Sequence, residues 1–152
     1  MIRTLIVSAV LTMSSFASAS VSLTFDCKVA PNTSAPEING STVMSARTEI
    51  SNGNQTLIVN RAPTDGREVV LVDTYHVTSA VLENGSFELT GLKQVATTGM
   101  APRAQLILSS FDASGREVEP SDATLILTPG SNRVMERVGV PTAMKCTVGL
   151  GK

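Results

Sequence analysis

The sequence predicts an all-β fold, a single-domain antiparallel β-sandwich with one disulfide; a small β-barrel is the alternative. Three observations predict it. Short apolar or alternating runs recur about every ten residues, each bounded by a turn signal. No stretch sustains a helical period with caps. The 152 residues are 42% hydrophobic and only 16% charged, which excludes a disordered chain.

The first element is a targeting segment. Met1-Ile2-Arg3 gives a positive start, Leu5–Phe16 an apolar stretch, and Ala17-Ser18-Ala19 the small residues that a signal peptidase reads. Residues 1–19 are therefore expected to be a secretory signal peptide and residues 20–152 one all-β domain, periplasmic or secreted. The apolar stretch is too short and too rich in Ser and Thr for an anchor, which needs about 20 apolar residues. No membrane span is expected after cleavage. Losing Arg3 takes the net charge from −1 to −2. That is weak steering for any charged partner and excludes a basic nucleic-acid binder.

Next comes a strand in which Val21, Leu23, Phe25, Cys27 and Val29 alternate with Ser22, Thr24, Asp26 and Lys28. At the other end, Cys146, Val148 and Leu150 alternate with Thr147 and Gly149. Both cysteines fall on the apolar face, and export takes them to an oxidising compartment. A buried Cys27–Cys146 bridge follows, with Cα atoms about 4.4–6.8 Å apart.

Between them, Gln55–Asn60 is a strand placed after Asn52-Gly53 and before Pro63-Thr64-Asp65-Gly66. Glu68–Thr74 runs on through Tyr75–Leu82 to Asn84-Gly85, where a hairpin should return at Phe87-Glu88-Leu89. Ala104–Phe111 meets a turn at Asp112–Gly115, and Ala123–Thr128 ends at Pro129-Gly130. Arg133–Val140 fits either a strand or a turn of helix. The expected core is Leu23, Phe25, Val69, Leu71, Leu106, Leu108, Leu125 and Leu127. The runs Val69–Val72, Leu106–Leu108 and Leu125–Leu127 are apolar on both faces. Either loops cover the outward side chains or an apolar surface is offered to something.

Side-chain chemistry is sparse. His76 is the only histidine, and Asp73, three residues away on an extended strand, points to the opposite face. No G-x-S-x-G elbow is present. Glu117 and Glu119 read as solvated charge at a sheet edge, and Asp112–Gly115 lacks the alternating acids of a calcium loop. Two cysteines and one histidine are too few for a closed zinc site. No catalytic residue, cofactor site or metal site is predicted. Asn32, Asn39, Asn54 and Asn84 each head an N-x-Ser/Thr triplet, a glycan acceptor only in a eukaryotic secretory path. Thr97–Arg103 forms the candidate binding loop, with Met100, Pro102 and Arg103 presented from it.

The expected function is therefore an exported, non-enzymatic binding or structural module of the cell envelope or secreted fraction, its partner a protein or envelope component. The alternative is a secreted inhibitor or a small-ligand-binding barrel, although aromatics at 3% are few for a typical ligand pocket. An outer-membrane barrel is excluded by composition, because one Tyr and no Trp cannot build aromatic girdles.

Overall fold

Successive side chains of a strand point to opposite faces, and almost every strand of this chain has one apolar face. The computed structural model, which describes residues 22–93, 100–108, 121–130 and 138–151, shows those faces turned inward around a closed ring. The strands are β1 (Ser22–Val29), β2 (Glu37–Ile38), β3 (Ser41–Ser51), β4 (Asn54–Pro63), β5 (Leu71–Glu83), β6 (Ser86–Leu92), β7 (Arg103–Leu108), β8 (Ser121–Thr128) and β9 (Val140–Gly151). They pair in the order β1-β9-β8-β7-β6-β5-β4-β3, and β1 pairs again with β3. That last pairing closes an eight-stranded antiparallel barrel, with β2 lying outside it against β3. The sandwich expectation is corrected accordingly: Cys27 opposite Ala46 joins what would have been two free edges.

An eight-stranded barrel has an interior about wide enough for side chains to fill. Phe25, Leu57, Val59, Leu89, Leu106, Leu108, Leu125 and Met144 are all buried there. β1 and β6 stand opposite each other across the ring, and Phe25 stacks on Phe87 with centroids 5.1 Å apart. The lumen is thus packed solid at that level. Outward positions carry Asp26, Lys28, Arg47, Glu49 and Lys145, the reverse of a lipid-facing barrel. Among the described residues no helix is long and apolar enough to cross a membrane.

Two seams flank β1, and they differ. The β1–β9 ladder runs the whole length of β1 from Ser22 opposite Gly151 to Val29 opposite Met144. The β1–β3 ladder covers only Asp26–Lys28. Below it, side chains stand in for the ladder: the Phe25 N–H donates to Thr48 Oγ1 (2.8 Å), and Gln55 Nε2 donates to the Leu23 carbonyl (2.8 Å). The predicted disulfide joins Cys27 to Cys146 as a directly opposed pair on the better seam, with Cα atoms 4.0 Å apart. That lies just under the expected range, because opposed residues in an antiparallel ladder approach to about 4.5 Å where they exchange no hydrogen bonds.

The hairpin at Asn84-Gly85 forms as expected, with Leu82 opposite Phe87 and positive φ at both turn residues. Asn52-Gly53 makes the same turn between β3 and β4. Three expectations need correcting. Val69 is 48% exposed and outside any strand, while Leu71 and Leu23 are half-buried. β5 begins only at Leu71, where pairing with Arg61 starts, and Gly66–Val70 before it is exposed and outside any strand. β3 went unanticipated; its register shifts between Val43 and Ser45, which breaks the alternation. Residues 1–19, Thr97-Thr98-Gly99, 109–111, Asp112–Gly115, Glu117, Glu119 and 133–137 lie outside the described residues.

Candidate functional site

Antiparallel order sends the ends of β1, β4, β6 and β8 and the starts of β3, β5, β7 and β9 to one end of the barrel, here the upper end. The hairpins at Asn52-Gly53 and Asn84-Gly85 turn at the lower end. The upper mouth is closed from within by charge rather than by aliphatic packing. Arg61 of β4 and Asp73 of β5 both face inward, and Arg61 Nε donates to Asp73 Oδ2 at 2.7 Å. Lys93, just past β6, donates from Nζ to Asp73 Oδ1 at 2.6 Å. Arg61 Nη1 also donates to Ser41 Oγ (2.5 Å), and that hydroxyl donates to the Ile38 carbonyl (3.0 Å). One carboxylate thus ties together β4, β5 and the end of β6, with Ser41 extending the chain to β2 and β3.

Burial pushes the Asp73 carboxyl up, but the Lys93 ammonium and the Arg61 guanidinium outweigh it and hold it below its ordinary value. One layer deeper, burial drives the Tyr75 hydroxyl up to about 12, and the Asp73 charge adds to the rise. Gly91 lets β6 lie close against this residue, since a Cβ there would stand 2.8 Å from Tyr75 Cβ. The cluster is a brace. Its carboxylate is engaged on both oxygens by cations, which leaves it poorly suited to act as a base.

Around this brace the upper loops are fastened to one another. The Thr64 N–H and hydroxyl both donate to the Gly40 carbonyl, joining the β4–β5 loop to the β2–β3 turn. The Lys93 N–H donates to the Pro102 carbonyl. Gly130 lies so close to the β6–β7 connection that a Cβ would meet the Met100 carbonyl and Pro102 Cδ at 2.9 Å. Onto this frame the chain places exposed aliphatic side chains: Val69 and Val70 in the β4–β5 loop, Val72 at the start of β5, Leu92 at the end of β6, Met100, and Val138 before β9. Val72 is 59% and Val138 73% exposed. Met44, at the β3 irregularity, is exposed in the same half of the barrel. Among the described large apolar side chains that are exposed, only Val81 lies toward the lower end.

The sequence-predicted residues divide. Met100 stands exposed on this end, Pro102 is half-buried beneath it, and Arg103 opens β7 with its Nε buried and unpaired. His76 is exposed on the outer wall while Asp73 points into the mouth, as the alternation of the strand requires. Asn32, Asn39, Asn54 and Asn84 are all exposed. Sequence reasoning missed Arg61, Asp73 and Lys93 as a cluster, because they come from β4, β5 and the segment just past β6, which no local pattern links. It placed Val69 in the core, where the structure exposes it.

A separate groove of about 630 Å³ opens where the β1–β3 ladder stops, lined by Thr24, Phe25, Asp26, Arg47, Thr48, Thr147, Val148 and Gly149. Compared with family models, with curated proteins and with solved structures, the chain matches none, so geometry alone carries the functional reading.

Proposed function

We propose that the protein is an exported, non-enzymatic binding module, periplasmic or secreted, that engages a protein or envelope component through the upper end of its barrel. One observation carries this reading: most of the exposed aliphatic side chains gather at one end, on strand ends and loops, several of them tied together by hydrogen bonds and by the Arg61–Asp73–Lys93 cluster. Scattered exposed apolar residues need no explanation, but a concentration of them marks an interaction surface. The brace lowers the entropy lost when those loops are held by a partner.

The test is capture from an envelope or culture-supernatant fraction by the immobilised, disulfide-bonded protein, read by quantitative mass spectrometry. Val72→Glu and Val138→Glu should each cut retention of the captured partner about tenfold or more, the effect of losing about 1.4 kcal/mol of binding. A substitution in the wall groove, Thr147→Glu, should leave it unchanged. Equal retention by all three variants overturns the assignment.

A second reading, small-ligand binding, is favoured by the groove on the β1–β3 seam, whose volume falls within the range of about 300–1,000 Å³ usual for ligand sites. It places the ligand on the wall rather than in the lumen, which Phe25 and Phe87 fill. Chemical-shift changes confined to Thr24–Asp26, Arg47–Thr48 and Thr147–Gly149 in a fragment screen would favour it over the upper end.

A further inference from the structure

At the lower end one strand outruns its neighbour. β4 pairs with β5 only as far as Thr56 opposite His76, whereas β6 accompanies β5 to Glu83 opposite Ser86. Among the described residues, none pairs with the β4-facing edge of β5 beyond His76. The register shifts between Val77 and Ser79, and residues 78–81 are exposed on both faces.

The direction of the open hydrogen-bonding groups follows from the turn. In a two-residue hairpin the flanking pair, Glu83 and Ser86, exchanges both backbone hydrogen bonds, and bonding alternates from there. Val81 and Ser79 thus face β6, while Ala80 and Leu82 turn their N–H and C=O groups to the open edge. Such an edge is a template for strand addition, and natural proteins usually blunt it with Lys or Pro. Neither residue occurs between Val77 and Glu83.

We propose that this edge pairs antiparallel with the same edge of a second copy, about a two-fold axis at Val81. In that register Ala80 exchanges hydrogen bonds with Leu82 of the second copy, and Leu82 with its Ala80. Val81 meets its own counterpart, and Glu83 meets Ser79. The segment is self-complementary: its one charge never faces a like charge, and apolar side chains meet apolar ones. A two-fold contact demands this self-complementarity, whereas an unrelated strand would not. Pairing of five residues a side buries less than the roughly 1,000 Å² of a stable interface, so the dimer is weak, with a dissociation constant of the order of 0.1 mM. The upper ends of the two barrels remain free in this arrangement, and the proposal is independent of what they bind.

Sedimentation equilibrium of the disulfide-bonded protein from about 10 μM to about 1 mM, spanning the expected constant, tests it. The wild type should pass from monomer to dimer across that range. Ala80→Pro removes an N–H that serves no bond within the barrel, so it should keep the thermal midpoint and raise the dissociation constant about tenfold or more. Val81→Cys should oxidise to a covalent dimer under the same conditions, and Ser79→Cys should not, because its counterpart lies across the axis. A wild type that stays monomeric throughout, an Ala80→Pro variant that dimerises as the wild type does, or a Ser79→Cys variant that crosslinks as readily as Val81→Cys overturns the proposal.

Discussion

Reducing the Cys27–Cys146 bridge should cost the fold about 3–5 kcal/mol, and the structure says where that cost falls. β1 and β9 are laddered along the whole of β1, so losing the bridge removes no backbone hydrogen bond. Both sulfurs are fully buried, and the two thiols keep nearly the same volume in the core. The effect therefore lies mainly in the unfolded chain, where the bridge closes a loop of 119 residues. The chain-entropy relation gives about 5 kcal/mol for a loop of that length, and measured bridges often deliver somewhat less. Urea unfolding of the oxidised protein, compared with the same protein held in reductant, measures the difference. The midpoint should fall by about 1–3 M, and the slope should rise, because a reduced unfolded chain exposes more surface. Hydrogen exchange in the reduced protein should open first along the β1–β3 seam, where the ladder covers only Asp26–Lys28. A stability change below about 1 kcal/mol, or an unchanged slope, would refute the assignment of the effect to the unfolded state.

Four further outcomes are expected. Asp73→Asn should destabilise by about 2–4 kcal/mol, because Asp73 is only 9% exposed and both Arg61 and Lys93 lose their partner; the 40% exposure of Lys93 keeps the figure below that for a fully buried pair. Asp73 is held below its ordinary value when folded, so its contribution is complete above the normal carboxylate range and fades as pH drops beneath about 4. Acid unfolding followed by circular dichroism should show that limb in the wild type and a flatter one in Asp73→Asn. Tyr75 is the only tyrosine, so ultraviolet titration reports it alone: phenolate should form near pH 12, and a midpoint near 10 would mean a hydrated ring. The stability tied to that buried hydroxyl is full below about pH 10 and is lost as pH rises through 12. Gly91→Ala should lower the thermal midpoint, at a cost of about 1–3 kcal/mol, because its Cβ would press on Tyr75. Thr142→Val should raise stability by about 1 kcal/mol in the same measurement, since Thr142 Oγ1 is buried without a hydrogen-bond partner.

The parts of this fold that are written locally could be read from the sequence. Asn84-Gly85 between apolar runs specifies its hairpin through the positive φ that those residues tolerate. The alternation around Cys27 and Cys146 places both sulfurs inside. Ring closure has no such signature, because it depends on β1 meeting β3 rather than on any property of either strand. β3 hid for a different reason: of its inward residues Ser41, Val43, Ala46 and Thr48 only Val43 is large and apolar, and Met44 falls at the register shift. The Val69–Val72 run misled because a continuous apolar stretch fits a covered strand as well as an exposed loop running into one. Only the position of Leu71, where pairing with Arg61 begins, separates the two. The candidate site is harder still to read from sequence, since its brace draws on residues 41, 61, 73 and 93, which no local pattern links.

The bridge also makes the chain a macrocycle. The β4–β5 loop, the β6–β7 connection and the turn leading from β8 to β9 all lie between Cys27 and Cys146. A protease that cuts one of them therefore releases no fragment. The two pieces stay covalently joined through sulfur, and their strands form two adjoining blocks of the same barrel. The loops that carry Val69, Val70, Met100 and Val138 can be nicked, or lengthened by insertion, while the molecule stays in one piece. The end of the barrel proposed to meet partners is thus also the part of the backbone whose continuity the molecule can most readily do without.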